Sequence, residues 1–150
     1  MNEGVDSAAH LLFKVANTCW AVDVSSVQKV HAQLNVQSVP GTHSWFLGLA
    51  SVDTQLLPVT DLGAWFAQTP SRGPVLHLAQ KLGPCGLRVD EINGTENLAV
   101  TASELDASHT VMPGASSAVI RVGSVEYRVV QMKLLVQSPA FLAIREVVSV

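Results

Sequence analysis

The side chains in this 150-residue chain that could ligate a metal or act as a nucleophile are five histidines, two cysteines and a scatter of carboxylates. His10, His31, His43, His77 and His109 fall at no HxH or HExxH spacing. Cys19 and Cys85 lie far apart with no CxxC, so no zinc pattern forms. The two thiols are expected to be reduced and buried, acting as small hydrophobes. A serine hydrolase of the common type needs a GxSxG elbow between a strand and a helix. The nearest piece, Gly114-Ala115-Ser116-Ser117, has neither flank. No Walker loop or GxGxxG is present to cradle phosphate. Asp23, Asp61 and Asp90 stand at strand ends, where capping and turn roles account for them. These observations predict no metal, no cofactor and no catalysis. One catalytic or ligand-binding alternative remains in His43, Trp45 and Asp61, and it requires a concave pocket beside those three side chains.

Trp20 and Trp65 are predicted to pack in the core. Trp45 follows the turn Val39-Pro40-Gly41-Thr42-His43-Ser44, where an aromatic ring either covers a barrel end or anchors a partner.

Composition narrows the class. Charged residues make up 14% of the chain, against about 25% in an ordinary soluble domain, while hydrophobic residues reach 48%. Ser, Thr, Asn and Gln fill 35 positions and valine 23. The valine content favours strands. The low charge leaves two explanations, an uncharged polar surface or an apolar surface that something covers. A net charge of −3 without any run of Lys or Arg excludes a nucleic-acid footprint. No apolar stretch approaches the ~20 residues that span a bilayer, and the start is acidic where a signal peptide would be basic. A cytoplasmic protein is expected, for which Asn93-Gly94-Thr95 is not a glycosylation site.

The elements that must position these residues are short. Leu11, Phe13 and Val15 alternate with less apolar neighbours and turn back through Cys19 to Val24, which predicts a hairpin. Ser25-Ser26 centres a helical turn. Alternation then resumes with Val30, Ala32, Leu34 and Val36 on one face and His31, Gln33, Asn35 and Gln37 on the other. A strand is predicted over 55–61, with Pro58 at an edge or bulge, and Asp61 caps a helix over 62–66. After a loop over 68–74, strands are predicted over 75–79 and 86–90, a turn at Asn93-Gly94 and a strand over 98–101. Residues 102–117 read as an irregular surface loop. A hairpin follows through Gly123-Ser124, then a helical turn over 133–136. Ser138-Pro139 opens a C-terminal helix over 140–147. Many short strands with almost no long helix predict an all-β barrel fold.

The run Val39-Pro40-Gly41, Trp45-Phe46-Leu47-Gly48-Leu49 and Leu56-Leu57-Pro58-Val59-Thr60-Asp61-Leu62 resembles the central signature of CheW-like domains, the adaptor family of bacterial chemosensory systems. Phe13-Lys14-Val15 with Trp20 to Val24 and Val27 to Val30 is similar to the family's opening. Gly86 to Ile92 resembles its later strand, and Val129 to Leu135 its closing strand and helix. The likeness implies two small five-stranded SH3-like β-barrels sharing a hydrophobic seam, with short helical turns. It divides the chain into a polar arm over 1–10, the CheW-like domain over 11–137 and a helical tail over 138–150. It further implies an adaptor that couples a chemoreceptor's cytoplasmic tip to the regulatory domain of a CheA-like histidine kinase, with recruitment to receptor arrays and no membrane insertion. At matching positions, partner contacts are expected at Val27, Val30, Val39, Pro40, Trp45, Leu49, Val52, Asp53 and Leu57. Gly41, Gly48, Pro58, Asp61 and Asp90 would shape the backbone.

One departure stands out. Where the family reads Gly-x-Ile-Asn-Leu-Arg-Gly, this chain has Gly48-Leu49-Ala50-Ser51-Val52-Asp53-Thr54. An acidic group replaces the partner-facing arginine and reverses the local charge, and loss of the glycine puts the turn's positive φ in question. Two adaptor readings follow: a standard component of a chemosensory or pilus-control pathway, or a scaffold outside standard arrays that binds another coiled coil or a localisation protein. Exposed apolar side chains are expected to cluster around Trp45 and Leu49, with Asp53 at their edge.

Overall fold

Ala16 and Asn17, both with positive φ, reverse the chain between β1 (Ser7–Val15) and β2 (Thr18–Asp23) in a computed structural model that describes residues 7–83, 85–99 and 115–144. β1 begins inside the expected polar arm. Both of its faces are covered, Leu12 by the first sheet's own core and Leu11, Phe13 and Val15 by the seam with the second sheet. That sheet is completed from far along the chain by β9 (Glu91–Ala99), β10 (Ala115–Val122) and β11 (Val125–Val130), in the order β10-β11-β2-β1-β9.

The middle of the chain builds a second sheet. Its strands are β3 (Val27–His31), β4 (Val36–Gln37), β5 (Phe46–Val52), β6 (Gln55–Asp61), β7 (Val75–Leu78) and β8 (Gly86–Arg88), in the order β3-β7-β8-β6-β5-β4. Laid flat, six strands would hold β3 and β4 roughly 24 Å apart at ~4.8 Å per strand. The five steps from His31 to Val36 reach about 18 Å at most. The sheet must therefore curl, and the expected pair of small barrels is what forms. The second sheet holds six strands rather than five, the extra one being the two-residue β4.

Three buried clusters follow from this layout. Leu12, Ala21, Leu98 and Tyr127 fill the first sheet, and Ala50, Leu57, Val59 and Val75 fill the second. The largest cluster joins the two. Phe13, Val15, Trp20 and Val22 of the first sheet meet Leu76, Leu78, Leu87 and Val89 from the second, with Leu62, Met132, Leu135 and Phe141 from the short helices. Those helices are α1 (Leu62–Ala67), α2 (Met132–Val136) and α3 (Pro139–Leu142). Asp61 caps α1 as expected, its Oδ1 accepting the Ala64 amide at 3.0 Å. A 3₁₀ turn at Val24–Ser26 supplies the turn expected around Ser25.

Several expectations are corrected. The alternation through Val36 is not one strand: β3 ends at His31, and residues 32–35 cross to the opposite edge, leaving Val30 exposed rather than packed. Asn93-Gly94 does not turn the chain. Gly94, at φ +98°, sits in β9 beside the register shift at Leu12/Phe13, so the pair forms a bulge. Pro58 is in an interior strand, but pairing with β8 begins only at Val59, which leaves one side of Pro58 without a ladder to interrupt. Of the loop expected over 102–117, residues 115–117 belong to β10 and the rest lies outside the described residues. α3 ends at Leu142, and of the expected helix over 140–147, residues 145–147 lie outside the described residues.

Two local features generate tests. The β5–β6 hairpin turns on Asp53 and Thr54 at φ +49° and +67°, the type I′ pattern that asparagine and glycine suit best. Thr54 keeps this conformation with its hydroxyl donating to the Asp53 carbonyl. A left-handed conformation costs a non-glycine residue about 1–2 kcal/mol. Replacing Thr54 by Gly is expected to raise stability by about 0.5–1 kcal/mol after the added unfolded-state entropy, read as a Tm increase of about 1–4 °C. A lower Tm would show the hydroxyl bond to outweigh the strain.

The second feature is a histidine pair. His31 Nε2 on β3 lies 3.1 Å from His77 Nδ1 on β7, so one nitrogen must donate and the other must be bare. Desolvation, with the neighbouring His77 and Lys29, lowers the His31 pKa from its ordinary 6.5, and Asp53 only partly opposes this. Between the lowered value and 6.5 the unfolded chain binds more protons, so stability falls as pH drops through that window and His31 contributes no slope above it. His31→Gln should flatten the acid side of the Tm profile. An unchanged profile would mean that the His31 charge is not coupled to folding.

Candidate functional site

The expected partner-facing residues occupy separate settings. Val27 and Val30 of edge strand β3, with Val24, line a shallow groove of about 180 Å³ whose other wall includes Leu11 and Thr95 of the first sheet. Val24 and Val30 are exposed, at 37% and 40%. The groove therefore bridges the two sheets and presents valine side chains to solvent. Asp53 is exposed at the β5–β6 turn, and its charge partly opposes the lowering of the His31 pKa.

Leu57 is corrected. It is 2% exposed inside the second sheet's core and cannot touch a partner, whereas Leu56 is 64% exposed. Successive strand residues point to opposite faces, so a likeness by position does not tell a core leucine from an exposed one. Val52 is half-buried against the same core. Leu49 is half-buried, paired with Pro58 on one side and Gln37 on the other. Val39 is half-buried beside exposed Pro40, and the turn is held by the Thr42 hydroxyl donating to the Val39 carbonyl at 2.8 Å, with Gly41 at φ +79°. Gly48, at φ +133°, permits a contact no other residue could make, since a Cβ there would lie 1.9 Å from the Gln37 carbonyl oxygen. Asp90 pins the two sheets together: its Oδ2 accepts the Ala16 amide at 2.7 Å and its amide donates to the Lys14 carbonyl at 2.9 Å.

Trp45 belongs to an aromatic row within the chain. It stacks on His43 with ring centroids 5.3 Å apart and meets Trp65 edge-on at 6.5 Å, and Trp65 in turn meets Phe141 of α3 at 5.5 Å. The His43 amide donates to the Ile144 carbonyl at 2.9 Å, so the segment after Ser138 closes this end of the second sheet. The expected exposed cluster around Trp45 and Leu49 is therefore not found: both are half-buried, and the exposed large apolar side chains include Val24, Val30, Leu56 and Leu142 instead. Sequence reasoning missed Phe141, whose only signal was an aromatic residue two positions after a helix-opening proline.

It also missed a groove of about 570 Å³, where β1, β2 and β11 meet the turn at Gln80–Leu82 and α2. His10, Asp23, Lys81 and Lys133 supply its charge. Burial tends to raise the Asp23 pKa, but hydrogen bonds from Ser25 and the charges of His10 and Lys81 outweigh it and the net shift is downward. A smaller apolar pocket of about 230 Å³ lies between Phe46, Pro58, Val136 and Phe141. Cys85 lines it, and burial pushes that thiol up to about 12, which makes it a poor nucleophile at neutral pH. Both cysteines are half-buried free thiols rather than fully buried ones.

The catalytic alternative finds little support. Asp61 is 3% exposed, and its oxygens accept the Ala64 and Ser71 amides at 2.9–3.1 Å. Neither the large groove nor the apolar pocket is lined by His43, Trp45 or Asp61. Among the described residues no group of three or more His, Cys, Asp or Glu could hold a metal, and no helix is long and apolar enough to cross a membrane.

The fold is shared with the crystal structure of the scaffolding protein TtCheW from Thermoanaerobacter tengcongensis. The match has a TM-score of 0.71 and covers 90% of this chain and 96% of that chain at 14% sequence identity, a likeness of fold. No curated protein sequence matches the chain. The family model described as the CheW-like domain matches residues 9–138. With that match running from Ala9 to Ser138, through both sheets and the seam between them, the chain belongs to the CheW-like domain family.

Proposed function

We propose that this protein is a non-catalytic adaptor of a bacterial chemosensory pathway. It couples the cytoplasmic tip of a chemoreceptor to the regulatory domain of a CheA-like histidine kinase. Family membership and the likeness to a scaffolding protein support the role. The observation that carries it is the valine pair on β3. β3 is an edge strand guarded by a single charge, Lys29, and beside that charge it presents exposed Val30 with Val24 and Val27 over a groove spanning both sheets. Val39, Pro40 and Val52 extend the proposed contact surface, and Trp45 and Leu49 support it from partly buried positions. In such a pathway, pilus control included, the protein works in the cytoplasm and is held at receptor arrays by its partners.

Exposed Asp53 favours a second reading, a scaffold whose partners differ from those of arginine-bearing relatives. An acidic side chain at the turn repels a partner surface built to receive arginine.

Purified protein is expected to bind a kinase regulatory domain or a receptor-tip fragment encoded in the same genome. Val30→Glu should weaken that binding by about tenfold or more, because a charge would be buried without a partner, while the melting curve stays unchanged. Wild-type protein that binds neither fragment would overturn the adaptor reading. For the second reading, Asp53→Arg should create or strengthen binding to a standard CheW partner, measured by calorimetry, and unchanged partner choice in that variant would sink it.

A further inference from the structure

Directly after β3, residues 32–34 and the loop Ser71-Arg72-Gly73 enclose a cleft of about 450 Å³ with Arg88 of β8. Two arginines line it. Among the described residues neither guanidinium has an ion-pair or hydrogen-bond partner, and the Arg88 Nε is buried without an acceptor. In a protein of net charge −3 with 9 Lys and Arg in all, two of them share one small cleft. Two carboxylates on adjoining backbone are committed elsewhere: Asp61, opposite Arg88, to the Ala64 and Ser71 amides, and Asp90, against Gly73, to the Ala16 amide.

The backbone around both arginines is held. Arg88 lies in a strand paired on both sides, with Val75 and with Asp61. Arg72 is in a loop, yet both of its neighbours are clamped. The Ser71 amide donates to the Asp61 carboxylate at 2.9 and 3.1 Å, and the Gly73 amide donates to the Val89 carbonyl at 2.9 Å. Gly73 approaches so closely that a Cβ there would lie 2.0 Å from the Asp90 carbonyl oxygen. An arginine displayed from a fixed backbone loses less freedom on binding than one on a mobile loop. Guanidinium groups match the paired oxygens of carboxylate and phosphate, and a buried charged donor without an acceptor is costly until an anion compensates it.

We infer that the Arg72–Arg88 cleft is a binding site for a small oxyanion, a phosphate-type anion or the carboxylate of an acidic side chain. Its lining shares no residue with the groove over β3.

Isotope-labelled full-length protein titrated with sodium phosphate, and separately with sodium acetate, against sodium chloride at matched ionic strength tests this by NMR. Saturable shifts are expected at the amides of Arg72, Gly73 and Arg88, with half-saturation below about 50 mM. Arg72→Ala should weaken saturation at least about fivefold, and Arg88→Lys, which keeps the charge and loses the fork, should weaken it as well. Lys133→Ala, in the large groove, should leave it unchanged. Saturation by phosphate alone assigns a free phosphate-type ligand, and saturation by both anions assigns a carboxylate as well. Shifts that rise linearly without saturating, or that saturate equally in Arg72→Ala protein with an otherwise native spectrum, would overturn the site.

Discussion

Phe13 and Trp20 face each other across the first hairpin, and both are sealed from solvent against Leu62, Leu76, Leu78 and Leu87 of the other half of the molecule. Everything else depends on this seam. Among the described residues each sheet has a core of four buried side chains of its own, and the cluster between them holds fifteen, so most of the buried apolar surface described belongs to the seam. The seam also draws in α2 and α3, so the C-terminal elements complete the core. A truncation of Trp20 or Phe13 would cost about 3–5 kcal/mol, a large part of the roughly 5–15 kcal/mol that holds an ordinary domain together.

Much of this was legible in the residues. The alternation in Leu11, Phe13 and Val15, the cap at Asp61 and the strand over 55–61 all carry local signals that act within a few positions, and each is found where those signals predict. What was not legible depended on distant chain. Val30 to Val36 alternates as a strand does, but an extended crossing from one edge of a curled sheet to the other has the same appearance, and only closure of the sheet distinguishes them. Asn93-Gly94 has the backbone freedom of a hairpin turn and uses it for a bulge, because β1 pairs with β9 on both sides of it.

The candidate site was legible by family and much less by facing. The likeness pointed to β3 and the β5–β6 hairpin, and of the residues it named there Val30 and Asp53 are exposed. It could not tell Leu57 from Leu56, since a one-residue step along a strand exchanges core for solvent. Nor could it bring Arg72 to Arg88. Sixteen positions separate them, and they meet only because Asp61 holds Ser71 and a glycine lets the loop lie flat against Val89 and Asp90. Asp61 thus has two tasks, of which only the helix cap was written in its neighbours.

The order of strands has a consequence for how the chain is made. Residues 27–88 form the whole second sheet and sit between two strands of the first, so that sheet has all of its partners once Arg88 has left the ribosome. The opening hairpin emerges before it and cannot be finished: β1 lacks β9, and β2 waits for β11, whose Arg128 pairs with Trp20 across more than a hundred intervening residues. Synthesis proceeds at about 5–20 residues per second, which leaves Phe13 and Trp20 on an open two-stranded ribbon for several seconds. Long-range closure of this kind folds slowly. The hairpin that carries half of the seam is thus the first part of the fold to be made and the last to be completed.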